Sequence, residues 1–86
     1  MQAYFPTILE GDEDEGYCAD VIGTGVLGQG ETQVAALTNA AAILQEIIWD
    51  AIREDKPAPQ PGRPNKDDLV LGTLSLVPAT LPQIAA

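Results

Sequence analysis

The chain predicts an α+β fold: a three- or four-stranded, largely antiparallel sheet with one long amphipathic helix packed on one face, in the order β-β-β-α-β. Three observations predict it. Two short alternating stretches, AYFPTILE (Ala3–Glu10) and YCADVI (Tyr17–Ile22), flank a glycine-bracketed acid run. From Thr32 to about Glu54, apolar residues return at steps of three and four. A second apolar run, LVLGTLSLV (Leu69–Val77), lies beyond a proline-rich segment that no helix can cross.

In the first strand, Tyr4, Pro6 and Ile8 fall on one face and Phe5, Thr7 and Leu9 on the other. Pro6 cannot donate to a ladder, so this strand is expected at an edge or with a bulge. Gly11-Asp12-Glu13-Asp14-Glu15-Gly16 has almost no strand or core propensity and reads as a solvated hairpin loop. The second strand follows at Tyr17–Ile22, and a shorter third is expected over Val26–Gln29 after a Gly23-Thr24-Gly25 turn.

The helix starts at Thr32, whose hydroxyl can cap a first-turn amide; Ala35 leaves no reciprocal capping box. Val34, Leu37, Ala41, Leu44, Ile48 and Ile52 form its stripe, flanked by Ala40, Ile43 and Ile47. If five large side chains on it are buried, at about 1.5–3 kcal/mol each, this helix is the main contributor to the core. Lys56–Pro64 (KPAPQPGRP) reads as an extended linker that stops the helix. Leu69–Val77 is the last strand, ended by Pro78. The chain is thus expected to be one domain over 1–86: core at about 3–55, linker 56–66, strand about 69–77 and tail 78–86.

With 86 residues the chain can bury only about two-thirds of the surface that its unfolded form exposes. No apolar run reaches the roughly 18 residues of a membrane span, and the N-terminus has no signal-like core. A soluble, cytoplasmic protein is expected. One cysteine and no histidine fit a reducing compartment, argue against a tetrahedral zinc site and remove the commonest general base.

Charge is lopsided. Residues 1–52 carry nine acids and no base, while Arg53, Lys56, Arg63 and Lys66 are balanced by Glu54, Asp55, Asp67 and Asp68, so the net charge of −9 belongs to the N-terminal part. Such a surface repels phosphate backbones and attracts basic proteins.

The stretch VIGTGVLGQGET (Val21–Thr32) imitates two phosphate-binding patterns. Gly23, Gly25 and Gly28 spell G-x-G-x-x-G, but the helix starts too late for its third glycine to lie in the first turn. Gly25–Thr32 spells a P-loop with Glu31 in place of the lysine, which sets a negative charge where phosphates need a positive one. These glycines are therefore expected to serve turns, and Gly28 or Gly30 a close strand-to-helix approach. No cofactor is implied. Asp12-x-Asp14-x-Gly16 imitates the start of a calcium loop, but Gly16 holds the fifth, ligating position and Tyr17 the sixth, where glycine belongs. Cys18 reads as a small core residue without an activating base. Trp49 and Tyr17 read as core aromatics, with interface anchoring as the other use.

The order of the pieces resembles the HicB family of antitoxins. The resemblance rests on Tyr4-Phe5-Pro6-Thr7-Ile8-Leu9-Glu10, the acidic turn, Gly16-Tyr17, Gln29-Gly30-Glu31-Thr32, Ala36-Leu37, Asn39-Ala40 and the proline-rich segment. It covers roughly Tyr4–Pro61, and its specificity lies in order and spacing. Ile22-Gly23-Thr24-Gly25 stands where the family usually has a longer Pro-Asp-Leu-Pro-Gly turn, and no DNA-binding domain of the kind many members carry fits after Val77. The resemblance implies a domain similar to a degenerate ribonuclease H fold, without catalytic metal, that binds and neutralises a small basic ribonuclease toxin. It implies no catalytic residue and no direct nucleic-acid or membrane partner.

The acid loop, Asp12, Glu13, Asp14 and Glu15, is the candidate partner-binding element because it is the densest exposed charge. An alternative reading is a residual metal-dependent nuclease using Glu10, Asp20 and Glu46 or Asp50, which requires their convergence although Glu10 and Asp20 can fall on different faces. An oligomeric scaffold without a toxin is a third. Self-association, as a dimer or a multiple of one, is expected because both strand faces carry apolar residues such as Phe5, Leu9, Ile8 and Leu74.

Overall fold

A computed structural model describes residues 1–82. It contains β1 (Gln2–Asp12), β2 (Gly16–Val21), β3 (Val26–Gly30), α1 (Gln33–Arg53), a short α2 (Lys66–Leu71) and β4 (Thr73–Thr80). The strands form one antiparallel sheet in the order β3-β2-β1-β4, and α1 packs across one face. This is the α+β architecture that the sequence predicts.

The acid run makes a tighter hairpin than expected, because β1 continues to Asp12 and β2 begins at Gly16. Only Glu13–Glu15 lie in the loop. Asp12 Oδ1 accepts from the amides of Asp14 at 3.0 Å and Glu15 at 2.7 Å, and Gly16 at φ +88° supplies the left-handed residue that closes such a turn. The β2–β3 turn uses Gly23 and Gly25, both at positive φ, and Thr24 Oγ1 donates to the Val21 carbonyl and accepts from the Val26 amide.

β1 is a central strand, which corrects the edge position that Pro6 suggests. The Ile22 amide donates to the Pro6 carbonyl at 3.0 Å, so the missing N–H of Pro6 also faces β2, where that strand is already leaving the ladder at Gly23. The proline therefore forfeits only the reciprocal bond to the Ile22 carbonyl, at the end of the β1–β2 ladder.

Thr32 caps α1 as expected, its hydroxyl accepting from the Ala35 amide at 3.0 Å. The far end is stopped before the prolines. Lys56 donates to the Ala51 carbonyl and Asp55 to that of Ile52, while Asp55 takes a left-handed φ of +56°, which together make a Schellman motif.

The expected strand Leu69–Val77 is corrected at both ends. Residues 66–71 are helical because Asn65 and Asp68 form a capping box: the Asp68 amide donates to Asn65 Oδ1 and the Asn65 amide to Asp68 Oδ2. The strand then runs through Pro78 to Thr80. Thr80 turns its amide and carbonyl outward to the Gln45 side chain, so by alternation the nitrogen of Pro78 also faces the open edge, where no N–H is needed. Of the expected tail, Leu81 is buried and paired with Met1, and residues 83–86 lie outside the described residues.

The core lies between α1 and the sheet. Phe5, Val21, Leu44, Ile48 and Val77 are buried there, along with Thr7, whose hydroxyl donates to the Phe5 carbonyl. Val34, Ile43, Ile47 and Ile52 of the expected face are exposed, which leaves Leu44 and Ile48 as its fully buried large residues; Ala40, expected at its flank, is buried together with Ala36. The stripe is rotated towards small residues because β3 meets it with glycines. A Cβ at Gly28 would stand 2.5 Å from the Ala36 carbonyl oxygen and 2.7 Å from the Ala40 Cα, and one at Gly30 2.6 Å from the Ala35 Cβ.

On the opposite face, Gly62 packs on Ile22 and Gly72 on the backbone of Leu9 beside Glu10, and α2 between them contacts β1. Ile8, between these points, is buried; Tyr4, Leu27, Leu74 and Leu76 on that face stay substantially exposed.

Gly28→Ala is expected to destabilise the fold by about 3 kcal/mol or more, because its Cβ meets helix backbone that cannot rotate away. Gly25→Ala, with open space around its Cβ but a φ of +77°, should cost only about 1–2 kcal/mol. Urea unfolding of the two variants measures both, and an equal loss would show that α1 lifts freely from β3.

Candidate functional site

Folding gathers acids at one end of the sheet. The β1–β2 hairpin projects Glu13, Asp14 and Glu15, and the Tyr17–Gly30 pairing brings the β3–α1 junction, with Glu31, beside it. Glu10 lines the same open concavity, whose other walls include Tyr17, Cys18, Thr32 and Leu71. None of the residues lining it is basic. Arg53 pairs with Asp50 and Lys56 with Glu54, both exposed and placed around the far end of α1.

The four residues of the acid loop are not equivalent. Asp12 spends one carboxylate oxygen on two turn amides and so shapes the hairpin, whereas no side-chain hydrogen bond engages Glu13, Asp14 or Glu15 among the described residues. Sequence reasoning did not assign Glu10 and Glu31 to this group. The glycines on either side of the hairpin and the expected close approach at Gly30 were the signals that could have placed them there.

Glu10 and Asp20 share the sheet face opposite α1, since Glu10 pairs with Cys18 and Asp20 with Ile8 in one register. Glu46 and Asp50 belong to α1, on the other side of the sheet. Among the described residues no three histidine, cysteine or carboxylate groups gather as a metal site, so the carboxylates named for the nuclease reading do not converge.

Cys18 lies between Glu10 and Asp20 on that face and is half-buried rather than in the main core. Burial, reinforced by the negative charges of Glu10 and Asp20, pushes its thiol pKa above the ordinary value. Tyr17 is half-buried against the core as expected, and Trp49 is substantially exposed. The glycines of the phosphate-like stretch have structural work. Gly23 and Gly25 make a turn, and Gly28 is a ladder residue opposite Ala19, flush with the helix. Among the described residues no helix is long and apolar enough to cross a membrane.

Compared with protein-family models, curated proteins and solved structures, the chain matches none.

A raised thiol pKa means a smaller thiolate fraction at any pH below it. Alkylation of Cys18 by iodoacetamide at pH 8 should therefore be several-fold slower than that of an unstructured cysteine peptide. The Glu10→Gln/Asp20→Asn variant should move the rate–pH profile to lower pH and recover part of that difference; an unmoved profile would mean that the two carboxylates do not act on the thiol.

Proposed function

We propose that the chain is a HicB-like antitoxin, or a stand-alone relative, which binds and neutralises a small basic ribonuclease toxin by protein–protein contact in the cytoplasm. The observation that supports this most is the acid-only rim. Glu10 from β1, Glu13, Asp14 and Glu15 from the hairpin and Glu31 from the β3–α1 connection converge onto one open concavity, with no base among its lining residues. Five carboxylates that could have been spread over the surface are instead held together, at the cost of mutual repulsion.

Such a rim suits a cationic protein in two ways. Its field steers encounter, and Tyr17 and Leu71 beside the acids offer apolar surface for the complex once formed. The ordered resemblance of Tyr4–Pro61 to the antitoxin family points to the same class of partner. The hairpin tip is the steering element, and Asp12 beneath it is the structural member that keeps the tip in shape.

The test is the salt dependence of binding to a short basic protein encoded beside this one. The association rate should fall steeply as salt rises, because charge steering is screened beyond about 8 Å at physiological ionic strength, while dissociation should change less. Glu13→Gln/Asp14→Asn/Glu15→Gln, which leaves the Asp12 turn intact, should slow association several-fold without altering the unfolding midpoint. An unchanged rate removes the hairpin from the mechanism. Failure of the chain to bind that protein, or to inhibit its cleavage of RNA, removes the antitoxin reading.

A further inference from the structure

A chain with a net charge of −9 repels its own copies over most of its surface, yet one flank carries no charged side chain. From Leu69 to the end of the sequence there is no Asp, Glu, Lys or Arg, and this uncharged run supplies the edge strand β4. The row of α1 on the same side, identified by the Gln45 side chain reaching Thr80, reads Val34, Thr38, Ala41, Gln45, Trp49 and Ile52, again without a charge. Val34, Trp49, Ile52, Leu74 and Leu76 are all substantially exposed along it. The acids of α1, Glu46 and Asp50, lie off that row.

The backbone of β4 adds a second, directional observation. By alternation from Thr80, the outward-facing amides and carbonyls are those of Leu74, Leu76, Pro78 and Thr80. Gln45 already satisfies Thr80, and Pro78 has no N–H. Two consecutive outward residues, Leu74 and Leu76, keep full donor and acceptor sets, with no backbone or side-chain partner for them among the described residues. Edge strands are ordinarily blunted by charge, bulges or cover. This edge is blunted only at its C-terminal half.

We infer that Leu74 and Leu76 are the pairing site for a second copy of this chain, related by a two-fold axis at Ser75. In that register Leu74 of each copy lies opposite Leu76 of the other, and each such pair exchanges both hydrogen bonds, so four bonds satisfy every outward group of the two leucines. The four leucine side chains then meet on the sheet face opposite α1. The two sheets become one of eight strands, with Pro78 and α2 limiting the ladder at either end.

Charge favours this occupant and this orientation. Thr7 lies opposite Ser75, and at about 3.3 Å per residue the acidic turn stands roughly 20 Å along β1 from that axis. Antiparallel pairing sends the two acidic turns in opposite directions, well beyond the screening length, whereas a parallel pairing would set them side by side. A basic partner gains nothing from this uncharged flank, so the inference is independent of the toxin reading and is tested on the chain alone.

Sedimentation equilibrium across a dilution series should report a dimer at tens of micromolar. Leu76→Pro removes an outward N–H and spares the β1–β4 ladder, since Leu76 faces away from β1; it should weaken the dimer about 30-fold. Leu74→Glu/Leu76→Glu, at two exposed positions, should leave a folded monomer by circular dichroism. Leu27→Glu, equally exposed but on β3 at the other edge, should leave the dissociation constant unchanged. In the wild-type chain, hydrogen exchange at the Leu74 and Leu76 amides should slow as concentration rises. A wild-type monomer, a dimer that both β4 variants leave intact, or exchange at those amides that ignores concentration would each overturn the inference.

Discussion

The contact on which the rest of this structure depends is the one between β3 and the first turns of α1, where Gly28 and Gly30 lie against Ala35, Ala36 and Ala40 with no room for a Cβ. Side chains normally hold a helix away from the sheet it covers; here backbone meets backbone at one end, and Leu44 and Ile48 pack with Phe5 and Val77 at the other. The close approach explains why the buried stripe of α1 is centred on alanines rather than on the larger residues that its periodicity suggests. It also lets short amides reach both edges of the sheet. Asn39 donates to the outward carbonyl of Gln29 on β3, and Gln45 satisfies both outward groups of Thr80 on β4. One helix thus covers the core and ties down both borders.

Features governed by local signals were legible in the sequence. The acid hairpin, the Gly23-Thr24-Gly25 turn, the Thr32 cap and the extent of α1 each depend on residues within a few positions of one another. The close approach at Gly28 and Gly30 was legible too, because glycine in a strand beside a helix start has few other uses. Features that depend on a distant partner were read less well. Pro6 suggested an edge strand, but its constraint concerns only the side its nitrogen faces, and where β2 ends relative to β1 is a long-range fact. Pro78 suggested a strand terminus for the same reason. Residues 66–71 were missed differently: Leu69 and Leu71 alternate like a strand, while the competing signal, Asn65 with Asp68, is a capping box four residues long.

For the site, sequence showed where acids are dense but not which of them act together. Asp12 looked like its neighbours and turned out to be a turn residue, because its carboxylate finds two free amides within three positions. Glu10, Glu31 and the shared face of Glu10 and Asp20 depend on strand register, which composition does not carry. The uncharged run after Asp68 was visible from the start, yet its meaning depends on β4 being an edge and on which of its residues face outward.

These two surfaces answer different electrostatic demands, and their placement in one small fold follows from the topology. Because β4 returns antiparallel to β1 and follows α1 and its linker, the uncharged C-terminal run is carried to the sheet border farthest from β3, while the acids stay with the connections of the first three strands. In the proposed dimer, self-pairing at that border would leave the acidic rims at its outer ends, each still open. A cationic partner would then meet two separated acidic sites, and binding at one would relieve none of the repulsion at the other, since the screening length is short against their separation. In that proposal, the charge that keeps copies apart elsewhere is what confines their meeting to the β4 edge. That same charge would remain available at the far ends to the basic protein of the proposed function.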